Sequence, residues 1–426
     1  MKNRIDVLTS RNTPLRKINK ETWLFCFEIV LLLLICVMHS FSAGHYADYY
    51  PINGTFQNFN PVRRLLSGQI PYRDFQDYLG MGHLYVGSIF TALYGGDYQG
   101  SLQAFSFLTF GSCALLFLMI SMAVVKRKEI AGALTNIFLI IILVEPLFYK
   151  NAISGTDEIL AALEYTLGTG NSARFIRGMI LPIACFFMYL GYIVCRRVLS
   201  EKFLRYRELL LYIGVGIVAG FSFAWSNDYG VSCWLCLLIM AFWIGLCRQR
   251  YLLKAIKAII ITTGSSIISI FIIVEMFTLG HFGQWFSGTF GTGGYQFWYY
   301  NSDKSYYLYD IDLSYIMLIQ AGLAIVYLIK LFIAKGTMTA CIRYGTLALA
   351  NMVCFCAVNE YKVLSGGSSR EVALSVLFIN IIIEAGVLIA GNENHKKVTH
   401  TLLIASVISG FAWIISTAKD EFIFNI

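Results

Sequence analysis
The residues best suited to chemistry lie just outside the apolar runs of this chain. Asp48 stands between Tyr46 and Tyr49, a few positions beyond the first such run. A carboxylate at a membrane–water boundary acts as a general base when it is held within hydrogen-bond reach of a hydroxyl. The same residue would also serve as a loop aspartate that caps a helix. Further on, SGQIPYRDFQDYLGMGHLYV (67–86) sets Arg73, Asp74 and Asp77 beside an apolar stretch that begins at Leu79. Asp74 and Asp77 are three apart, a spacing that puts both carboxylates on one helical face. There they would bind a cation, orient a polyhydroxylated ligand, or cap the helix that follows.

Other polar groups fall at similar positions. GTDEILAALEYTLGTGNSARFIRG contains the acidic pair Asp157 and Glu158. With Asp48 these are the candidates for a divalent cation (Mg or Mn), although N-capping by Thr156 or Asp157 accounts for the pair equally well. Arg174 and Arg177 share a helix face at the start of an apolar run. With Arg73, Lys362 and Arg370 they either bind an anion or anchor the chain at the interface. Asn227 and Asp228 occupy the short SNDYG connection, where turn geometry asks for such residues anyway. GHFGQWFSGTFGTGGYQFWYYNSDKSYYLYDID places Trp285 and Trp298 among glycines, tyrosines and phenylalanines. That composition suits an acceptor- or lipid-binding lid, or an interfacial aromatic belt. Within the apolar runs, Glu28, Glu275 and Glu384 need partners or a nearby end. Cys233 and Cys236 form a CxxC on an apolar helix, where packing is the simpler reading.

The elements that must position these groups follow from composition. Of 426 residues, 57% are hydrophobic and only 14% charged, against about 25% charged in soluble domains. Apolar blocks occur near 23–43, 79–94, 98–125, 130–148, 174–195, 209–225, 229–247, 256–279, 312–334, 341–358, 372–391 and 400–417. Long runs of this kind are membrane-spanning helices, so the expectation is a single all-α polytopic membrane domain over 1–426, surrounded by membrane lipids. Basic clusters (the N-terminal arm, Lys126–Arg127–Lys128, Arg196–Arg197, Arg248–Arg250, Lys330 with Lys335, Lys396–Lys397) should share the cytoplasmic side. They do so only if the block at 79–94 does not span. Interrupted by Gly80, Gly82, His83 and Gly87, it is also shorter than the ~20 residues a span requires.

This predicts about eleven spanning helices, with the N-terminus inside, the C-terminus outside, and an interfacial juxtamembrane helix in the first outer loop (44–97). The remaining outer loops are 149–173, 280–311 and 359–371. The long N-terminal arm argues against a cleaved signal peptide. No aromatic-interleaved basic groove points to nucleic acid, and no GxxxxGK[ST] points to an ATP-driven machine.

An acidic residue just beyond the first span, then NPVRRLLSGQIPYRDF and a short apolar helix, resembles the GT-C superfamily of polytopic glycosyltransferases over roughly 45–95. The resemblance implies a polyprenyl-phosphate-linked sugar donor, a lipid or glycan acceptor, and an active site on the outer face of a bacterial cell membrane. It makes Asp48 the catalytic base. Arg73, Arg174, Arg177, Lys362 and Arg370 become candidates for the leaving phosphate, and Asp74, Asp77, Asp228 and Trp285 candidates for substrate contact. Because Asp48 is followed by Tyr49 rather than a second acid, Asp157 and Glu158 would supply the missing carboxylate. Two other readings compete. A flippase or transporter for a lipid-linked glycan would place its charges at mid-depth with pseudo-symmetric halves, and Glu384 is its best hook. A glycan polymerase or ligase would use the same kind of donor in a different helix arrangement.

Overall fold
The computed structural model describes residues 20–45, 54–77, 79–125, 127–149, 174–198, 206–227, 229–292, 294 and 311–362. Among these the chain is helical without strands; the nearest approach to sheet is an isolated bridge between Pro71 and Phe75. The helices are α1 (Lys20–His45), α2 (Gly54–Leu66), α3 (Gly82–Leu93), α4 (Tyr98–Val124), α5 (Lys128–Tyr149) and α6 (Arg174–Val198). They continue as α7 (Arg207–Trp225), α8 (Gly230–Gln249), α9 (Leu252–Thr278), α10 (Phe282–Phe290), α11 (Ile311–Ile333) and α12 (Thr346–Lys362). A short turn at Met338–Ala340 and a π-helical turn at Cys341–Gly345 lead into α12.

Six helices among the described residues are long and apolar enough to cross a membrane: Lys20–Ser42, Tyr98–Met122, Glu208–Trp225, Gly230–Gln249, Leu252–Thr278 and Met338–Cys356. Helices also cover the expected blocks at 130–148, 174–195 and 312–334. The blocks at 372–391 and 400–417, and Glu384, lie outside the described residues. The block at 79–94 forms only the 12-residue α3, about 18 Å long at 1.5 Å per residue.

Burial sorts these helices into centre and rim. Of the most apolar stretch of α4, 78% is buried, against 22% for that of α9. The outward face of α9 carries Ile260, Ile267, Ile268, Phe271, Ile272 and Met276, each more than half exposed. A contiguous aliphatic face of that kind suits hydrocarbon rather than water. The inner face of α9 is built oppositely, from Thr262, Ser265, Ser266 and Ser269, against Gly216 and Gly220 of α7. Thr262 Oγ1 donates to the Tyr212 carbonyl at 3.2 Å, and Ser269 Oγ to that of Ile217 at 3.1 Å. In lipid no hydrophobic force draws helices together, so small residues and interhelical hydrogen bonds do that work.

The two ends of the bundle differ in chemistry. At one end Asn136 Nδ2 of α5 donates to Glu28 Oε2 of α1 at 2.6 Å, which answers how this buried acid is tolerated. There too Arg127 pairs with Glu129 at 2.6 Å, Gln249 with Glu208, and Arg248 donates to the Gly336 carbonyl. At the other end the contacts are aromatic. Ser40 bonds Tyr94, Phe59 packs on Tyr98, and Tyr85 donates to the Phe277 carbonyl. This second end carries α2, α3, α10 and the loop between α2 and α3.

A Cβ at Gly216 would lie 2.6 Å from the Thr262 carbonyl oxygen. Gly216→Leu is therefore expected to separate α7 from α9 and destabilise the protein by about 1–3 kcal/mol. The measurement is a thermal melt of the detergent-solubilised chain. Ile267→Leu, on the 58% exposed outer face, should leave the midpoint in place.

Candidate functional site
The loop from Ser67 to Met81 is the structural centre of the aromatic end. α2 stops at Gly68, whose φ of +83° is the left-handed conformation of a helix C-cap. The Ser67 and Gln69 amides then close on the Arg63 and Arg64 carbonyls. Beyond Ile70 the chain folds into a tight turn rather than a helix. Tyr72 adopts a φ of +64°, and its amide donates to the Phe75 carbonyl at 2.6 Å. The expected common helical face for Asp74 and Asp77 is thus absent. Pro71 has no amide to offer a helix, and the Asp74 carboxylate takes the Ile70 amide instead, at 2.8 Å. Asp74 ends exposed and Asp77 buried.

Two apolar clusters fix this turn. Phe75 enters one with Val62, Leu84, Phe105, Ile176 and Trp225, and Tyr72 enters the other with Met81, Ala224, Val274 and Trp285. Hydrogen bonds complete the fixation. Tyr72 Oη donates to the Asp77 carbonyl at 2.6 Å, while Asn227 Nδ2 donates to Tyr72 Oη at 2.9 Å and to the same carbonyl at 3.3 Å. The Asp77 carboxylate accepts the Leu79 amide at 3.0 Å. Burial, and then the Asp77 carboxylate, push the Tyr72 phenol above its ordinary pKa, so it remains a donor.

Backbone contacts extend the seam. The Met81 amide donates to the Ala224 carbonyl and the Asn227 amide to that of Leu79, both at 3.0 Å. Gly80, at φ +113°, lets the two segments approach; a Cβ there would lie 2.6 Å from Ser226 Cα. Next along, His83 Nδ1 lies 3.2 Å from the Trp225 carbonyl oxygen, and Trp225 Nε1 donates to the Ile176 carbonyl at 3.2 Å. The Ser67–Met81 loop, the end of α7, the start of α6 and α10 are thereby brought to one place.

Several expected site residues take other positions. Arg73 is exposed and spends its guanidinium on Asp74, Nη2 to Oδ2 at 2.7 Å. That pairing, then the Ile70 amide, lower the Asp74 carboxyl to about 2. Arg177 is 1% exposed, its guanidinium 5.7 Å from the centre of the Tyr229 ring, and lies buried one turn into α6. Trp285 is 2% exposed and packs on Phe282 and Phe290. Its ring belongs to the core and offers no open face for stacking. Arg174 begins α6 and Lys362 ends α12. Asp48, Asp157, Glu158, Asp228 and Arg370 lie outside the described residues. Among the described residues no group of three His, Cys, Asp or Glu side chains could hold a metal ion.

The structure adds residues that the sequence reading did not single out. A cavity of about 360 Å³ opens between α2 and the turn, lined by Phe56, Gln57, Asn60, Pro61, Arg64, Phe75, Gln76 and Asp77. Residues 57, 60 and 64 recur at helical spacing on one face of α2, while Asn58 and Val62 are buried on the other. That periodicity was the available signal. Comparison with protein-family models, with characterised proteins and with solved structures gives no match to this chain.

Gly80→Ala is expected to destabilise this end by about 1–3 kcal/mol, through overpacking and a φ that alanine resists. Gly96→Ala, at φ +81° with open space around it, carries only the backbone part, so its melting midpoint should fall less. The Arg73–Asp74 pair gives a pH prediction. Because the folded carboxyl is lowered from 3.8 to about 2, its contribution is complete above pH 3.8 and disappears as pH falls through about 2. The Asp74 carboxylate signal in isotope-edited infrared spectra should therefore persist at pH 3 and be clearly reduced in Arg73→Gln at that pH, where the Ile70 amide alone holds it.

Proposed function
We propose that this chain is a membrane glycosyltransferase. It moves a sugar from a polyprenyl-phosphate-linked donor to a lipid or cell-surface glycan acceptor on the outer face of a bacterial cell membrane. One observation carries the reading. Three separated segments (70–77 with 79–81, 225–227 with 229, and 282–290) converge at the aromatic end of a bundle of apolar helices, beside a cavity lined by both polar and apolar side chains. An enzyme acting on a lipid-anchored donor needs a polar site at the depth of the lipid phosphate, which is where such an end lies. Sidedness follows from the charges: Arg127, Arg248, Lys330 and Lys335 belong to the opposite end, the cytoplasmic one. In this arrangement α3 is a juxtamembrane helix, and about eleven helices span.

Asp48 follows the end of α1 by three residues. Its carboxylate takes the proton of the acceptor hydroxyl as that oxygen attacks the anomeric carbon. The bond from that carbon to the phosphate oxygen breaks, and the phosphate leaves with the electron pair, so a single displacement inverts the centre. Charge developing on the phosphate calls for a cation or hydrogen-bond donors near it. Arg174, at the start of α6, and Lys362, at the end of α12, are the candidates at helix ends. Arg73 would have to leave Asp74 to serve.

Removing a general base costs typically 10²–10⁴-fold. Asp48→Asn should therefore reduce transfer from a radiolabelled polyprenyl-phosphate sugar in proteoliposomes by about that factor, with the expression level and melting midpoint unchanged. Wild-type turnover in a folded Asp48→Asn protein would remove Asp48 from this role.

A further inference from the structure
The geometry points to the cavity between α2 and the 75–77 turn as a binding site for an uncharged, hydroxyl-rich ring, a single neutral sugar unit. Insofar as it makes that ring a substrate, the inference rests on the transferase reading above. Its volume of about 360 Å³ falls at the small end of the ~300–1,000 Å³ typical of small-molecule sites. The lining is mixed, with the amides of Gln57, Asn60 and Gln76 beside Phe56, Pro61 and Phe75, which suits an amphipathic ring better than an acyl chain. A phosphate or uronate would want unopposed cations. Here the Asp77 carboxylate shares the wall with Arg64, and the Arg64 guanidinium already lies 5.4 Å from the centre of the Phe75 ring.

Hydroxyls both donate and accept. They satisfy amides at either end, a carboxylate and a guanidinium with no net charge brought in. Phe56 and Pro61, which also line the cavity, supply the apolar surface against which the C–H side of a sugar ring packs. These groups are also set in advance. Asp77 is 5% exposed and holds the Leu79 amide, Phe75 is 7% exposed in its cluster, and Asn60 Oδ1 accepts from Arg63 Nε at 3.0 Å. Groups fixed before binding lose less entropy on binding.

The test is saturation-transfer NMR on the full chain in nanodiscs. The probes are methyl glucoside, methyl galactoside and methyl mannoside, with glucuronate and glucose 1-phosphate as anionic counterparts. At least one neutral glycoside should bind, and the anions should bind about ten-fold more weakly or worse. Asn60→Leu and Gln57→Leu fill the cavity from α2 positions that are not core. Each should weaken binding about ten-fold, the loss of roughly one hydrogen bond, with melting midpoints unchanged.

Absence of any glycoside binding to the wild type, preference for the anions, or undiminished binding in both cavity variants would each overturn the site. The two readings fail separately. Glycoside binding lost in Asn60→Leu, with no transfer by the wild type, would leave the cavity standing and sink the transferase. Full transfer by both cavity variants would show that the cavity does not take the substrate.

Discussion
Everything at the aromatic end hangs on the close pairing of Leu79–Met81 with Ala224–Asn227. Two backbone hydrogen bonds of 3.0 Å make it, and the missing side chain at Gly80 permits it. From this seam the Tyr72 phenol, the Asn227 amide and the Asp77 carbonyl form one closed set of bonds. Phe75 then has only one place to go, and it becomes the floor of the cavity. A polar loop between apolar helices would ordinarily leave backbone groups unsatisfied, which is costly away from water. Here the donors and acceptors of the turn are answered by a connection far away in the chain.

The contrast between bundle ends has a common electrostatic and steric logic. Charged side chains pair or reach carbonyls at one end, as Arg127 does with Glu129 and Arg248 with Gly336. At the other end tyrosines and tryptophans present hydroxyl and indole donors while burying their rings. Between them, α7 and α9 touch through glycine, serine and threonine, so two helices rich in β-branched residues still approach closely. The α9 face pointing away is aliphatic and, among the described residues, exposed.

Much of this was legible from sequence. Long apolar blocks gave the helices, and the short, glycine-interrupted block at 79–94 gave a helix of 12 residues. The spacing of Asp74 and Asp77 misled, because a helical face presumes a helix, and Pro71 with the left-handed Tyr72 turns the chain instead. Trp285 misled for another reason. Composition marks an aromatic loop, but it cannot distinguish a ring that faces solvent from one inserted between Met81 and Val274. α10 hid within a glycine-rich run for the same cause, since packing on Tyr72 overrides poor helix propensity. The amphipathic spacing of Gln57, Asn60 and Arg64 was visible, yet nothing in it announced a cavity until Phe75 and Asp77 closed the other wall.

The bond between Asn227 and the Asp77 carbonyl joins residues 150 positions apart. At synthesis rates of about 5–20 residues per second, the first partner waits ~8–30 s for the second to be made. During that interval the turn after α2 is without the amide that holds Tyr72. Until then the segment is an open polar loop. The site is assembled late in the life of the nascent chain, when α7 and α8 have both been delivered.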